Sequence, residues 1–93
     1  MRKENTTLQQ LAEQLNARLS GDGSAIATDV THDSRQAGEG TLFAAIKGAT
    51  VDGHRFVDDV MRRGSVGIIS EFDPPPEFSG AWIKVSDARQ ALA

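Results

Sequence analysis

Leu8, Leu11, Leu15 and Leu19 step by three and four along the start of the chain. That spacing draws one apolar stripe and predicts an amphipathic helix over residues 7–19. Thr6 with Gln9 has the form of a capping box at its start, and Gly21 stands where it would close. The period then changes. In "SAIATDVTH" the residues Ile26, Thr28 and Val30 alternate, which predicts a strand. If the chain stays extended, the same parity carries His32 and Ser34 to that side. "LFAAI" (42–46) and "VGIIS" (66–70) are unbroken apolar runs, as expected of strands covered on both faces. "AWIKV" (81–85) is a further strand. "HRFVDDVMRRG" reads as a helix that buries Phe56, Val57, Val60 and Met61 and stops at Gly64.

Strand, helix and strand in this order form a βαβ unit with a right-handed crossover. The predicted fold class is α/β: a small open sheet with a βαβ unit and flanking helices. "EFDPPPEFSG" is a loop stiffened by Pro74 to Pro76, and "SDARQALA" begins another helix capped by Ser86 or Asp87. Residues 1–85 are expected to form one domain. Residues 86–93 are expected to start a helix leading out of it, too short to be stable without packing. The sequence is therefore expected to be part of a longer protein.

Composition narrows the function. With 93 residues there is room for one small domain, and 39% hydrophobic with 25% charged residues describes a folded globule. A net charge of -3 argues against a nucleic-acid partner, which needs a basic face. The absence of cysteine excludes disulfides and thiolate metal sites and fits a reducing compartment. No run approaches the ~20 apolar residues of a membrane span, and "MRKENTTLQQ" has no apolar segment behind its charges. A cytoplasmic protein, without membrane contact and monomeric, is expected.

Candidate chemistry concentrates in "THDSRQAGEGTLFAAIKGATVDGHRF", residues 31–56, which holds both histidines. Asp33 suits a side-chain turn, Ser34 offers a hydroxyl, and Arg35 offers a forked cation for phosphate or carboxylate. A turn stapled by its own side chains is the competing reading of these three. "GATVDGH" leads from one predicted strand into the next helix, where ligands of open α/β sheets gather. Helix N-termini present N–H groups suited to phosphate. Gly48 and Gly53 would admit a ligand close to the backbone; Asp52 would cap the helix, and His54 falls in its first turn. The glycine pattern is neither a P-loop nor a dinucleotide fingerprint. Asp33, Glu39 and Asp52 balance Arg35, Lys47 and Arg55, so a polyphosphate here would rely on amides and hydroxyls. Two histidines without cysteine make no recognised metal site, and "HDSRQ" lacks the nucleophile-elbow form. The residues alone describe a small α/β domain that binds an anionic ligand at its loops, with no catalytic residue.

The combination is more specific than its parts. Asp-Ser-Arg, then Gly-x-Leu-Phe-x-Ala, then Asp-Gly-His-x-Phe, then glycine and an apolar strand, resembles the N-terminal domain of the Mur ligases of peptidoglycan synthesis. "VSDARQALA" is similar to the junction before their ATP-binding domain. Within the family the pattern is most similar to the members that add the third stem-peptide amino acid. The members that add D-alanyl-D-alanine are the alternative, and a free-standing binding module without catalysis is another. The resemblance implies that this domain holds the UDP portion of UDP-N-acetylmuramoyl-dipeptide through His32, Ser34, Ala49, Thr50 and Val51, supported by Arg35, Gly48, Asp52, Gly53 and His54. It also implies that ATP and magnesium bind in a central domain absent from this sequence, which has no P-loop.

Overall fold

The apolar runs find cover on both sides. In the computed structural model, which describes residues 6–47 and 52–88, helix α1 (Leu8–Gln14) is followed by strands β1 (Arg18–Ser20), β2 (Asp29–Thr31) and β3 (Thr41–Ala44). A 3-10 turn (Gly53–Phe56) runs into helix α2 (Val57–Arg62), and strands β4 (Gly67–Ser70) and β5 (Trp82–Lys84) complete the set. The sheet order is β1-β5-β4-β3-β2. β2, β3, β4 and β5 are mutually parallel, and β1 runs antiparallel along β5.

Alternation along the strands sorts the core into two layers. Leu42, Ala44, Ile69 and Ile83 join Leu8 and Ala12 of α1 on one face. Phe43, Ala45, Ile68 and Trp82 join Val57 and Val60 of α2 on the other. Ala37, from the connection between β2 and β3, is buried in that second layer. The predicted α/β class, the open sheet and the βαβ unit β3–α2–β4 are all present.

Several boundaries differ from those read in the sequence. The first helix ends at Gln14, not residue 19, and Leu19 lies in β1. Asn16 adopts φ 56°, a left-handed conformation that asparagine tolerates and that reverses the chain. The reversal lets Arg18 pair with Lys84. The capping box is Thr7 with Gln10 rather than Thr6 with Gln9. Most of "SAIATDVTH" is not strand, because its backbone is held by the start of α1. Leu8 N–H donates to Ala25 O at 2.9 Å, Gln9 N–H to Gly23 O at 3.0 Å, and Ala27 N–H to Thr6 O at 3.2 Å. The second helix is split, with a 3-10 first turn and only Val57–Arg62 in α form. Gly64 closes it at φ 104°, where a Cβ would meet the Glu39 backbone at 3.1 Å. Residues 89–93 of the predicted last helix lie outside the described residues. Just before them, the Ala88 N–H donates to Glu71 Oε2 at 2.8 Å.

Ile68 has no exposed surface, whereas Ile26 is 43% exposed. Ile68→Ala is expected to lower stability by roughly 2–5 kcal/mol through the cavity it leaves. Ile26→Ala is expected to cost less than about 1 kcal/mol. Urea denaturation of the two variants checks the contrast.

Candidate functional site at the C-terminal rim of the sheet

Parallel strands deliver their carboxyl ends to one rim, where ligands of open α/β sheets bind. Thr31 of β2 stands opposite Phe43, and Ala44 of β3 opposite Ile69. The segments beginning at 32, 45 and 71 therefore leave the sheet side by side. This rim brings together the Asp-Ser-Arg and Asp-Gly-His segments.

The chain turns at once after β2. Asp33 N–H donates to Thr31 Oγ1 at 3.0 Å, and the Asp33 carbonyl accepts from Gln36 and Ala37. The Asp33 carboxylate accepts from the Arg35 backbone N–H at 2.9 Å and from its guanidinium twice at 3.1 Å. This is the side-chain-stapled turn, and it occupies the fork that the sequence offered to an anion. Arg35 side-chain bonding, then its backbone N–H, holds the Asp33 carboxyl below the usual carboxylate range. Extended parity does not carry past Thr31: His32 is exposed and Ser34 is half-buried within the turn. Arg63, just past α2, donates to the Ser34 carbonyl at 2.5 Å and ties the turn to the helix. Among the described residues the Ser34 hydroxyl has no hydrogen-bond partner, so it remains available.

The second segment is pinned at its base. Lys47 and Asp52 form an antiparallel bridge, and Gly53 N–H donates to Ile46 O at 2.8 Å. Gly53 is needed because a Cβ there would lie 2.9 Å from Ile46 N. The close approach it permits is thus to the protein's own strand. Asp52 caps the turn as expected, accepting from the His54 backbone N–H at 3.0 Å. With the N–H groups of residues 53–55 bonded to Ile46 and Asp52, a phosphate at this turn would not find them free. Gly48, Ala49, Thr50 and Val51 lie outside the described residues.

The His54 ring closes a three-residue chain. Nδ1 lies 2.6 Å from Asp52 Oδ1, and Nε2 lies 2.6 Å from Ser70 Oγ. A neutral ring protonated on Nδ1 donates to the carboxylate and accepts the serine proton. Ser70 Oγ also accepts from Phe72 N–H at 2.9 Å. The order Asp–His–Ser is that of a proton relay, but Ser70 has no exposed surface, so no substrate reaches its hydroxyl. The chain acts as a clamp between the turn after β3 and the end of β4. Sequence reading missed Ser70, although a serine closing the run "VGIIS" was a visible signal. It also missed Arg63 and Phe72, whose roles arise only from the packing of α2 and β5. A separate cleft of 310 Å³, lined by Met61, Phe78 and Pro75 among others, lies between α2 and residues 75–80 and includes none of these groups.

The family profile described as "Mur ligase family, catalytic domain" matches residues 27–93. The chain belongs to the Mur ligase family. Two similar curated relatives are UDP-N-acetylmuramoyl-L-alanyl-D-glutamate–2,6-diaminopimelate ligases. The one from Chlorobaculum tepidum is 42% identical over 82 residues, covering 85% of this chain and 16% of the relative. The one from Chlorobium phaeobacteroides is 37% identical over 92 residues, covering 94% and 18%. Among solved structures, a MurF from Acinetobacter baumannii superposes with a TM-score of 0.79 at 31% identity, covering 95% of this chain and 19% of that one. The chain thus spans less than a fifth of the length of these ligases. Its fold is that of a Mur ligase N-terminal domain, and it belongs to an enzyme family.

The clamp makes a pH prediction. His54, first through its backbone N–H and then its ring, holds the Asp52 carboxyl below its ordinary value. A depressed folded pKa contributes stability above the unfolded value of about 3.9, and that contribution is lost as pH falls through the folded pKa. Asp33 and Asp73 shift the same way, through Arg35 and Lys84. The melting temperature is expected to fall below about pH 4, and Asp52→Asn to flatten part of that fall while lowering the neutral-pH value. Melting curves between neutral pH and the acid limit check both.

Proposed function

We propose that this chain anchors the uridine diphosphate portion of UDP-N-acetylmuramoyl-L-alanyl-D-glutamate in a ligase that adds the third stem-peptide amino acid. One observation carries the reading: the Asp-Ser-Arg and Asp-Gly-His segments leave neighbouring parallel strands at one rim, in a chain whose relatives are named for that ligation. The Ser34 hydroxyl is the side-chain contact, joined by His32 and by the backbone of Ala49, Thr50 and Val51. Arg35, Gly48, Asp52, Gly53 and His54 support them. Acids and bases balance across the segment and Arg35 is held by Asp33, so hydroxyls and amides bear most of the recognition. The amino acid carried over from the relatives' names is 2,6-diaminopimelate. Those names favour this step over D-alanyl-D-alanine addition, whose enzymes share the fold.

The described residues contain no group of three or more His, Cys, Asp or Glu suited to a metal ion, and the sequence has no P-loop. They do not fit ATP or its magnesium, and both are assigned to the remainder of the ligase. The part played here is positional. Binding energy from the remote nucleotide holds the substrate so that its reacting carboxylate is aligned elsewhere. A cytoplasmic, monomeric ligase is the setting proposed; among the described residues no helix is long and apolar enough to cross a membrane.

Calorimetric titration of the chain with UDP and with the nucleotide dipeptide tests the reading. Weak binding of both is expected, and Ser34→Ala is expected to weaken it by about 1 kcal/mol with an unchanged melting temperature. Absence of heat with either ligand at millimolar concentration would contradict the proposal. Unfolding of the Ser34→Ala variant would assign the residue to the turn instead.

A further inference from the structure

The end of β4 contributes a third segment to the same rim, and it presents an aromatic face. Phe72 is 48% exposed, yet both its backbone polar groups are held. Its N–H donates to Ser70 Oγ at 2.9 Å, and its carbonyl accepts from Trp82 Nε1 at 2.8 Å. One face of the ring lies on His54, with centroids 4.8 Å apart and planes 23° apart. His54 is itself fixed between Asp52 and Ser70. The ring is thus held by contacts that reach into the buried core, while about half its surface meets water. A lone exposed aromatic side chain is ordinary. One held at its backbone and backed by a clamped imidazole, beside a ligand rim, has its orientation set in advance.

We propose that the outer face of Phe72 is the stacking platform for the uracil base of the nucleotide. The inference rests on the uridine diphosphate reading given above. Stacking on an aromatic ring needs a flat π surface and no charge. The groups beside Phe72 favour a neutral ring over a phosphate: Glu71 and Asp73 flank it, and Lys84 is engaged by Asp73 at 2.9 Å. Arg35, Lys47 and Arg55 lie on the segments after β2 and β3. β2 and β4 are separated by β3 alone, so their ends are roughly 10 Å apart at ordinary strand spacing. A nucleoside diphosphate bridges that span with its base at Phe72 and its phosphates toward Ser34.

Proton NMR of UDP titrated with the chain tests this. The uracil H5 and H6 signals are expected to move upfield through the ring current of Phe72. Phe72→Leu, which keeps apolar bulk without a π face, and Phe72→Ala are each expected to weaken UDP binding about ten-fold and to abolish the upfield shift. Phe72→Tyr is expected to preserve both. If UDP binds and the variants match the original chain in affinity and shift, the stacking inference is overturned while the nucleotide reading stands. If the original chain binds no UDP at millimolar concentration, the nucleotide reading itself has failed.

Discussion

The parallel register of β2, β3 and β4 is the constraint from which the rest follows. Each strand must be left at the same rim, at Thr31, Ala44 and Ser70. Each return must cross a face of the sheet; here both cross the same face, and α1 covers the other through Leu8 and Ala12. α2 makes one return and the connection through Ala37 makes the other, so Phe43, Ile68 and Trp82 are covered. With the faces committed to packing, polar chemistry collects at the rim. The rim is not placed by any one motif; it is where this topology leaves room.

Most of the polar groups at that rim are used by the protein itself. Asp33 holds Arg35, Asp52 holds His54, and Ser70 joins His54 to the backbone of Phe72. Such internal pairing fixes the turns without leaving buried polar groups unsatisfied, and no described buried side-chain polar atom lacks a partner. It also gives a locally neutral loop pair a defined shape. The Ser34 hydroxyl, without a partner among the described residues, and the half-exposed Phe72 ring both sit on backbone that is tied down, by Arg63 in the first case and by Ser70 and Trp82 in the second.

Much of this was legible from residue pattern. Unbroken apolar runs marked β3 and β4 because strands covered on both faces need no alternation, and the residues between them marked the crossover helix. The Asp-Ser-Arg and Asp-Gly-His elements pointed to the two turns and to the family. Periodicity misled where a local conformation overrode it. The leucine stripe runs on through Leu19, but Asn16 turns the chain and gives Leu19 to a strand. The alternation around Ile26 looked like a strand until the start of α1 claimed its backbone. The Asp52–His54–Ser70 clamp joins residues from two strand ends, and no local window contains it.

The central claim is that the segments after β2, β3 and β4 form one cradle for the uridine diphosphate portion of the substrate. Mapping amide chemical shifts of the isotope-labelled chain during a UDP titration tests it most directly. The account predicts that the perturbed amides cluster at residues 32–35, 52–54 and 71–73. Perturbations centred instead on α1 and β1, or on the cleft between α2 and residues 75–80, would contradict it.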